Sequence, residues 1–599
     1  MHASSLQLPT APPAEVRLSR AATPRWLTVA GLALLIAVGG VLRLRNLAGQ
    51  SVSHVEMYVP GIRLPHGISV PEERLTLLKT VTSTLNSDTH PPGYYMVMWA
   101  WTRLFGTSVW SIRLPSVLFG TACIPLVWWL GSLTGQTKAA WIAAGLLAIN
   151  GQHIFWSQEA RMFTLACFLG LLSTILLLRI ARQDHASRWL QATYVAVLLA
   201  GVCTHVFFWL ILASHMTWTA ANAWRDKQPM PGALRLQFVA LILGSPLLAF
   251  SAYQNGNTLA TLSSNTAIYA RELVQFAFAF PLLGYSSGLF GDYGRVPDVG
   301  DAHLSPARWL FFGLSAVLFL AGCIAARRSQ PALLRDCEGP SEKVWLRAGA
   351  LGTLAIIAFL WVARAFAQPN ATLGTTQRMS VLPLLLALAA ILVQRYWAKL
   401  SSISSRLADN LFLTGEQALV LLLAVLPFLL LALISLFKPI FNARGLVVLT
   451  PYTLLVLAAG IVRLGRHPVV LTAILAVVTV AHLSGLRAYR SLTAGRADYQ
   501  SFATQLAPQI QPTDLIFLYP EFYSTPLFFY LHSDWDRAVA RNYEAACHAN
   551  PKARVWALWF DHYEPQLPVA MQKSLVGYQV TQRLRAEGGQ AILYVPNHN

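Results

Sequence analysis

The sequence predicts a polytopic α-helical membrane protein with about thirteen transmembrane helices and a C-terminal soluble α/β domain. Of the 599 residues, 55% are hydrophobic and only 12% are charged, which is too little charge for the surface of a soluble chain of this size. The apolar residues come in long blocks, many of them close to the roughly 20 residues that a helix needs to cross a bilayer. Charged residues return only after about residue 490.

The lengths of the apolar runs place the spans, with boundaries uncertain by about two to four residues. They define a cytoplasmic tail (1–26) and a transmembrane domain (27–489). The predicted spans are 27–44, 112–131, 138–154, 162–180, 189–204, 207–223, 236–253, 308–326, 346–365, 379–396, 417–437, 445–462 and 468–486.

Basic residues predict the orientation, because loops on the cytoplasmic side are rich in Lys and Arg. With the N-terminus in the cytoplasm, every second loop carries basic residues, from Lys138 alone to groups such as Arg179, Arg182 and Arg188. The opposite short loops carry few, namely Arg161, Arg378, Lys438 and Arg444. An odd number of spans then predicts a multi-pass protein of a cell (inner) membrane whose C-terminal domain is periplasmic or extracytoplasmic.

Two outer loops are long. The first runs from about 45 to 110 and contains two predicted short helices, near 71–86 and at 91–106. The second of these helices is rich in Tyr and Trp, which favour the headgroup zone, so we expect it to lie in the membrane interface. The other long loop, about 255–306, is expected to help define the acceptor.

The C-terminal part, 490–599, differs in character from the rest. Short β-like runs at Leu515–Tyr519, Arg554–Trp559 and Ala591–Val595 alternate with helical stretches. This alternation is typical of an α/β domain.

Charge and cysteine content exclude some functions. The net charge of +19 reflects basic cytoplasmic loops, and no basic run is interleaved with aromatic residues on a polar face, so we exclude nucleic acid as a partner. Six cysteines are scattered without a CxxC or metal-finger spacing. We interpret them as core residues.

Candidate functional residues are concentrated in the predicted outer loops. Four segments lie at this face: SVSHVEMYVPG (51–61), SDTHPPGYY (87–95), FWSQEARMF (155–163) and FNARGLVVLTP (441–451). This combination of carboxylates and basic groups suits an anionic ligand. The candidate residues are Glu56, Asp88, His90, Glu159, Arg161 and Arg444. Two other histidines near the same face, His153 and His205, are interpreted as structural.

The longest of these patterns resembles the membrane-embedded glycosyltransferases of the C-type superfold, which use polyprenyl-phosphate sugars. This group includes the protein O-mannosyltransferases and the lipid A aminoarabinose transferases. The stretch HPPGYYMVMWAWTRLFGTSVWSIRLPSVLFG (90–120) is similar to the family's HPP…Y…LFG…RLPS block, and SQEARMF to its SQEARMY motif. Arg444 lies where many members have an Arg-Tyr pair. The predicted architecture is most similar to that of the aminoarabinose transferases.

The resemblance implies that a carboxylate of the first outer loop is catalytic. Family members have an Asp-Glu pair there, whereas this chain has Val55-Glu56 after His54. Glu56 therefore inherits the catalytic role by resemblance. The departure at Val55 is compatible with a changed acceptor geometry or with lost activity.

The implied reaction explains the residue types. Displacement at the anomeric carbon of the donor, a hexosyl or pentosyl polyprenyl phosphate, releases the lipid phosphate with inversion. Glu56 would accept the proton of the acceptor hydroxyl, a contribution of about 10²–10⁴-fold in rate. Arg161 and Arg444, with His90 and Asp88, would bind the substrate and its phosphate. A divalent metal ion could bridge carboxylate and phosphate, with Glu159 (together with Glu56), Asp88 or His90 as ligands.

Less specific interpretations and two rival functions stay open. Asp88 and His90 are also suited to cap the interfacial helix, and Arg444 to anchor a span end at the membrane boundary. The rival functions are a membrane transporter or flippase and a catalytically decayed, transferase-like scaffold. The expected partners are the polyprenyl-phosphate sugar donor, membrane lipids, and an acceptor hydroxyl on a lipid, glycan or protein. The sequence identifies neither the sugar nor the acceptor.

Overall fold

The computed structural model describes most of the chain and is mainly helical. Fourteen segments are described: 24–62, 76–87, 90–183, 185–259, 306–327, 339–367, 373–400, 415–437, 443–493, 498–519, 524–531, 542–560, 566–586 and 589–597. Asp88 and most of the predicted outer loop 255–306 lie outside the described residues.

The first half of the chain is a series of helices joined by short connections. In chain order these are α1 (Arg25–Leu44), α2 (Leu77–Ser87), α3 (Gly93–Phe105), α4 (Val109–Leu133), α5 (Thr137–Ala148), α6 (Gly151–Ser157), α7 (Phe163–Ala181), α8 (Arg188–Thr204), α9 (Phe208–Arg225) and α10 (Gly232–Leu259). A 3₁₀ turn, His54–Tyr58, lies between α1 and α2.

The second half continues the helical series and ends in a small sheet. The helices are α11 (Pro306–Arg327), α12 (Glu342–Ala367), α13 (Leu373–Arg395), α14 (Glu416–Phe437), α15 (Thr450–Leu464), α16 (Pro468–Thr493), α17 (Tyr499–Leu506), α18 (Ser524–Leu531), α19 (Tyr543–Ala549) and α20 (Val569–Ser574). The strands are β1 (Leu515–Tyr519), β2 (Val555–Phe560), β3 (Tyr578–Ala586) and β4 (Gly589–Pro596). A second 3₁₀ turn, Ala443–Leu449, leads into α15.

Every predicted span overlaps a helix in the structure, because a long apolar run satisfies its backbone hydrogen bonds most easily as a helix. One prediction differs in detail: span 138–154 is divided into α5 and α6. The division is at Asn150, whose side chain accepts the N–H of His153 and so begins a new helix.

Among the described residues, six helices are long and apolar enough to cross a membrane. They correspond to Arg25–Leu44, Val109–Leu133, Phe163–Ala181, Gly232–Ala249, Glu416–Ile434 and Gly445–Leu464. The exact count of thirteen crossings stays a prediction.

Two helices form the centre of the bundle. The apolar window of α7 is 83% buried, and that of the segment Gly445–Leu464 is 94% buried, whereas the window of α1 is only 11% buried. The connections that precede α7 and α15 are therefore held by neighbours on several sides. The first connection contains the SQEAR segment, and the second contains Arg444.

The two short helices of the first outer loop are present. The predicted helix 91–106 is α3, and the prediction near 71–86 corresponds to α2. Helix α3 buries Tyr94, Tyr95 and Met98 on one face. Thr102 donates to the carbonyl of Pro60 (2.9 Å), so α3 is also tied to the segment that follows the first 3₁₀ turn.

The C-terminal region forms a four-stranded mixed sheet in the order β1-β2-β4-β3. Strands β1 and β2 are parallel, and the other neighbouring pairs are antiparallel. The three predicted strands are present. Strand β3 is not among the predicted strands, because YQVTQRLRA lacks the apolar run that marks the other three. This strand lies at the edge of the sheet, where polar side chains are tolerated.

Helices α11 and α15 approach each other closely through glycines. A Cβ atom at Gly460 would overlap the carbonyl oxygen of Leu318, and one at Gly322 would overlap that of Val456. Each helix thus presents a glycine to the backbone of the other, which is how small residues let membrane helices pack tightly.

We predict that Gly460→Ala lowers stability, although alanine alone favours a helix over glycine by about 0.5–1 kcal/mol. The added methyl group has to displace the backbone of α11, and overpacking of this kind costs about 1–3 kcal/mol. The midpoint of thermal unfolding in detergent measures the effect. Gly313→Ala is the matched control, because nothing lies within 4 Å of a Cβ at Gly313. An equal or higher midpoint for Gly460→Ala would contradict the proposed packing.

Candidate active site

The segment predicted to form the first outer loop is held by a buried ion pair. Glu56, in the 3₁₀ turn His54–Tyr58, faces Arg113 of α4. The Arg113 Nε donates to Glu56 Oε1 (2.9 Å), and Nη2 donates to Oε2 (2.7 Å). Both side chains are almost fully buried, with 1% of Arg113 and none of Glu56 exposed. The two-point geometry matches the planar fork of arginine to the carboxylate.

Two backbone N–H groups complete the surroundings of the Glu56 carboxylate. The N–H of Ala160 donates to Oε1 (2.9 Å), and the N–H of Ser53 donates to Oε2 (2.9 Å). Burial alone would raise the pKa of Glu56, but the charge and hydrogen bonds of Arg113, with these two N–H groups, lower the pKa to about 2. The carboxylate is therefore ionised at neutral pH and makes at least two hydrogen bonds through each oxygen.

Arg113 also donates hydrogen bonds to the backbone of the residues that follow α1. Its Nη1 donates to the carbonyls of Leu47 (2.7 Å) and Gln50 (3.0 Å), and its Nη2 donates to that of Ser51 (3.1 Å). One guanidinium thus fixes both Glu56 and the backbone that leads to it.

The SQEAR segment ties the same loop to the end of α1. Ser157 accepts from the buried Arg43 Nε (3.2 Å), and Gln158 Nε2 donates to the carbonyls of Arg43 and Arg45 (2.9 Å each). Together with the Ala160–Glu56 bond, these contacts give most of the motif a role in holding the first outer loop.

Arg161, the last residue of the SQEAR segment, contacts both α3 and the 3₁₀ turn that contains Glu56. Its Nη1 donates to the Tyr95 hydroxyl (3.1 Å) and reaches the carbonyl of Val55 (3.4 Å). Its own carbonyl accepts from Ser116 of α4 (3.2 Å). The side chain is 8% exposed, so its charge lies within the protein beside the 3₁₀ turn.

The other predicted residues are placed as follows. Glu159 is buried in the SQEAR segment, and the half-buried His90 lies with its ring centroid 5.0 Å from that of His205. Arg444 belongs to the 3₁₀ turn Ala443–Leu449, of which only the backbone is described at that position. A Cβ at the next residue, Gly445, would be 3.2 Å from His205 Cε1. The predicted segments therefore meet around Arg161 and His205.

The geometry supports a positioning role for Glu56. A general base needs an oxygen that can accept the proton of the acceptor hydroxyl. Both oxygens of Glu56 already accept from Arg113 and from backbone N–H groups, and the same bonds leave little room for a metal ion. The predicted roles of Glu56 as base and as metal ligand with Glu159 stay predictions.

A second group of potential metal ligands lies among the helices. The ligand atoms of Cys123, His153 and Cys167 are within 4.8 Å of one another, and all three residues are buried. However, Arg43 Nη2 donates to His153 Nδ1 (3.0 Å), which leaves the ring hydrogen of a neutral His153 on Nε2, 3.7 Å from Cys167 Sγ. The adjacent guanidinium also disfavours a cation. The geometry favours a hydrogen-bonded cluster at this position.

The C-terminal region contacts the first outer loop directly. The N–H of Val52 donates to the Tyr530 hydroxyl of α18 (2.9 Å), and Ser51 donates to Asp498 (2.9 Å). These bonds reach the loop only a few residues before Glu56. The sheet region and the buried ion pair thus act on the same short piece of backbone.

Sequence reasoning missed Arg113 as a site residue. It lies within the quoted RLPS block near the start of an apolar helix, where a fully buried arginine requires a partner. An arginine at this place in the sequence therefore indicates a buried charged or polar partner. It did not identify Glu56 as the partner, because 57 residues separate the two.

Comparison with known protein families agrees with the resemblance. Residues 89–250 match the family model described as dolichyl-phosphate-mannose-protein mannosyltransferase. This range includes the HPPGYY and SQEARMF segments on which the resemblance was based. None of the curated proteins matches the sequence.

Three solved structures illustrate the structural similarity. ArnT from Cupriavidus metallidurans in the apo state is 15% identical, with a TM-score of 0.40 over 95% of this chain and 98% of that one. The same protein bound to undecaprenyl phosphate is 14% identical, with a TM-score of 0.36 over 95% and 98%. The Archaeoglobus fulgidus oligosaccharyltransferase in complex with Zn and sulfate is 12% identical, with a TM-score of 0.43 over 94% and 73%.

We predict that Glu56→Gln lowers the free energy of unfolding by about 3–5 kcal/mol, because it leaves the Arg113 charge buried without its partner. Removal of both charges in Glu56→Gln/Arg113→Gln should cost less than the sum of the two single changes. Thermal unfolding in detergent measures these effects. Glu416→Gln is the control: its ion pair with Arg182 is 23% and 42% exposed, and such pairs contribute about 0–1 kcal/mol.

The pH dependence provides a second measurement of the same pair. Because folding lowers the pKa of Glu56 from 4.5 to about 2, its stabilising effect is complete above pH 4.5 and is lost as the pH falls towards 2. The difference in unfolding midpoint between the unchanged protein and Glu56→Gln should therefore shrink below pH 4.5. A difference that does not depend on pH would contradict the ionised pair.

Proposed function

We propose that this chain transfers a sugar from a polyprenyl-phosphate-linked donor to an acceptor hydroxyl on a lipid, glycan or protein. The transfer is a single inverting displacement at the outer face of a cell (inner) membrane. In this proposal the N-terminus is cytoplasmic, residues 27–489 form the transmembrane domain, and residues 490–599 lie outside the cytoplasm.

The observation that carries the proposal is the meeting of segments distant in sequence around Arg161 and His205. The loop of Glu56, the SQEAR segment, His90 and the backbone at Arg444 come together, and two of these segments lie within the range that matches the mannosyltransferase family model. A guanidinium held beside buried hydrogen-bond donors, as Arg161 is here, is the kind of surrounding that an anionic lipid phosphate requires.

The leaving phosphate gains charge as its bond to the sugar breaks. A guanidinium held in place before the reaction stabilises that charge without reorganisation. Arg161 is held by the Tyr95 hydroxyl and the Val55 carbonyl, and we assign it to the phosphate. Arg444, His90 and Asp88 keep their predicted roles in substrate binding. If a divalent metal takes part, Glu159 is its predicted ligand.

We expect that deletion of the gene removes one sugar from one class of acceptor. Mass spectrometry of the lipid, glycan and protein fractions identifies that class. The unchanged gene should restore the sugar, whereas Arg161→Ala should not, because the leaving phosphate loses its fixed cation. Arg103→Ala is the matched control, since Arg103 lies on the exposed part of α3 over the Trp99 ring. Identical fractions with and without the gene would contradict the proposed function.

A comparison of charge variants separates the two roles of Glu56. If Glu56 positions the loop through Arg113, sugar transfer is low in Glu56→Gln and partly restored in Glu56→Gln/Arg113→Gln, where no unpaired charge remains. If Glu56 is the base, the double variant is as inactive as Glu56→Gln, even when both are folded. Initial rates with a labelled polyprenyl-phosphate sugar, measured across pH, distinguish the two results.

One observation favours a second candidate function, a transferase-like scaffold without catalysis. Val55 stands where the resemblance implies an acidic residue, and the neighbouring Glu56 is engaged in the ion pair. For the scaffold, deletion changes no sugar, and the purified protein transfers none from any polyprenyl-phosphate donor.

A further inference from the structure

His205 lies at the connection between α8 and α9. It follows the last residue of α8 in an extended conformation (φ −148°, ψ 134°), and its N–H donates to the carbonyl of Gly201 (3.0 Å). The side chain is 1% exposed. From the sequence alone, this histidine is interpreted as structural.

One nitrogen of the His205 ring is committed to the backbone. The N–H of Phe207 donates to His205 Nδ1 (3.1 Å), so Nδ1 acts as the acceptor and carries no hydrogen. Burial lowers the pKa of His205 well below its usual value, and the nearby charges of His90 and Arg161 lower it further. The ring is therefore neutral, with its hydrogen on Nε2.

The Nε2–H group of His205 is a buried donor that finds no acceptor among the described residues. Almost all buried polar groups in proteins are hydrogen-bonded, so a buried donor of this kind points to a missing partner. A metal ion does not fit, because the nitrogen carries a hydrogen and the charge of Arg161 acts on the ring. An oxygen acceptor of negative charge fits both features.

The surroundings of His205 belong to the predicted outer-face segments. The His90 ring lies 5.0 Å away and the Phe163 ring 5.5 Å away, centroid to centroid. Phe163 comes two residues after Arg161. Gly445 allows the backbone next to Arg444 to approach the rings of Phe207 and His205, since a Cβ there would overlap Phe207 Cε2 and lie 3.2 Å from His205 Cε1.

We propose that His205 Nε2–H donates a hydrogen bond to a phosphate oxygen of the lipid-linked substrate, next to the guanidinium of Arg161. This inference rests on the proposed function and adds to it a specific phosphate-binding residue. The Phe207 N–H fixes the tautomer, so the donor is oriented before the lipid phosphate arrives.

Two amide substitutions test the two ring nitrogens separately. In His205→Asn, the side-chain oxygen replaces Nδ1 as the acceptor for the Phe207 N–H, but no donor remains at the position of Nε2. In His205→Gln, the amide nitrogen reaches the position of Nε2 and the Nδ1 acceptor is lost. Binding of undecaprenyl phosphate to the purified full chain in detergent is measured, with undecaprenol as the uncharged control.

We expect His205→Asn to weaken undecaprenyl phosphate binding about tenfold, which corresponds to the loss of one hydrogen bond to a charged group. His205→Gln should stay within about threefold of the unchanged protein. Undecaprenol should bind weakly and equally to all three. Equal loss in both variants would assign His205 to packing and overturn the inference.

Other outcomes separate this inference from the proposed function. If the unchanged protein does not prefer undecaprenyl phosphate to undecaprenol, the proposed function fails. If it has that preference and His205→Asn binds equally well, only the role of His205 fails. Should His205→Asn unfold in detergent, the Nε2–H resonance of histidine-labelled unchanged protein decides. A shift on addition of undecaprenyl phosphate supports the hydrogen bond, and no shift overturns it.

Discussion

The arrangement of the candidate site depends on the buried ion pair between Glu56 and Arg113. Two opposite charges removed from water stabilise a fold only when their geometry is good and their remaining hydrogen-bonding groups are satisfied. Here the carboxylate accepts from one guanidinium and two backbone N–H groups, and that guanidinium also donates to three carbonyls of the preceding loop. The pair therefore determines the path of the outer loop from Leu47 to the 3₁₀ turn.

The SQEAR motif contains residues with different roles. In SQEAR, Ser157, Gln158 and the backbone of Ala160 hold the loop and the end of α1, whereas the guanidinium of Arg161 donates to the Tyr95 hydroxyl and its charge acts on His205. A resemblance identifies the position of such residues, and the contacts then separate those that support the loop from those that suit a substrate. By this criterion Glu56 supports the loop.

Much of the fold could be predicted, because a long apolar run satisfies its backbone hydrogen bonds most easily as a helix. The span 162–180 corresponds to α7 almost residue for residue, while the division at Asn150 depended on a single side-chain cap. The pairing of Glu56 with Arg113 could not be predicted, because it joins residues distant in sequence. The tautomer of His205 depends on one backbone N–H, which no composition or periodicity reveals.

The contacts of the first outer loop also constrain the order in which the nascent chain can mature. The Glu56 carboxylate leaves the ribosome 104 residues before Ala160, and Ser51 precedes Asp498 by 447 residues. Chains are synthesised from the N-terminus, so this loop is made before Arg113, which neutralises Glu56, and long before the C-terminal residues that cover it. Its contacts with Arg113, Ala160 and Arg161 require the chain as far as the end of the SQEAR segment, and its contacts with Asp498 and Tyr530 require the C-terminal region. A chain truncated before residue 498 would therefore lack the contacts of Asp498 and Tyr530 that hold this loop.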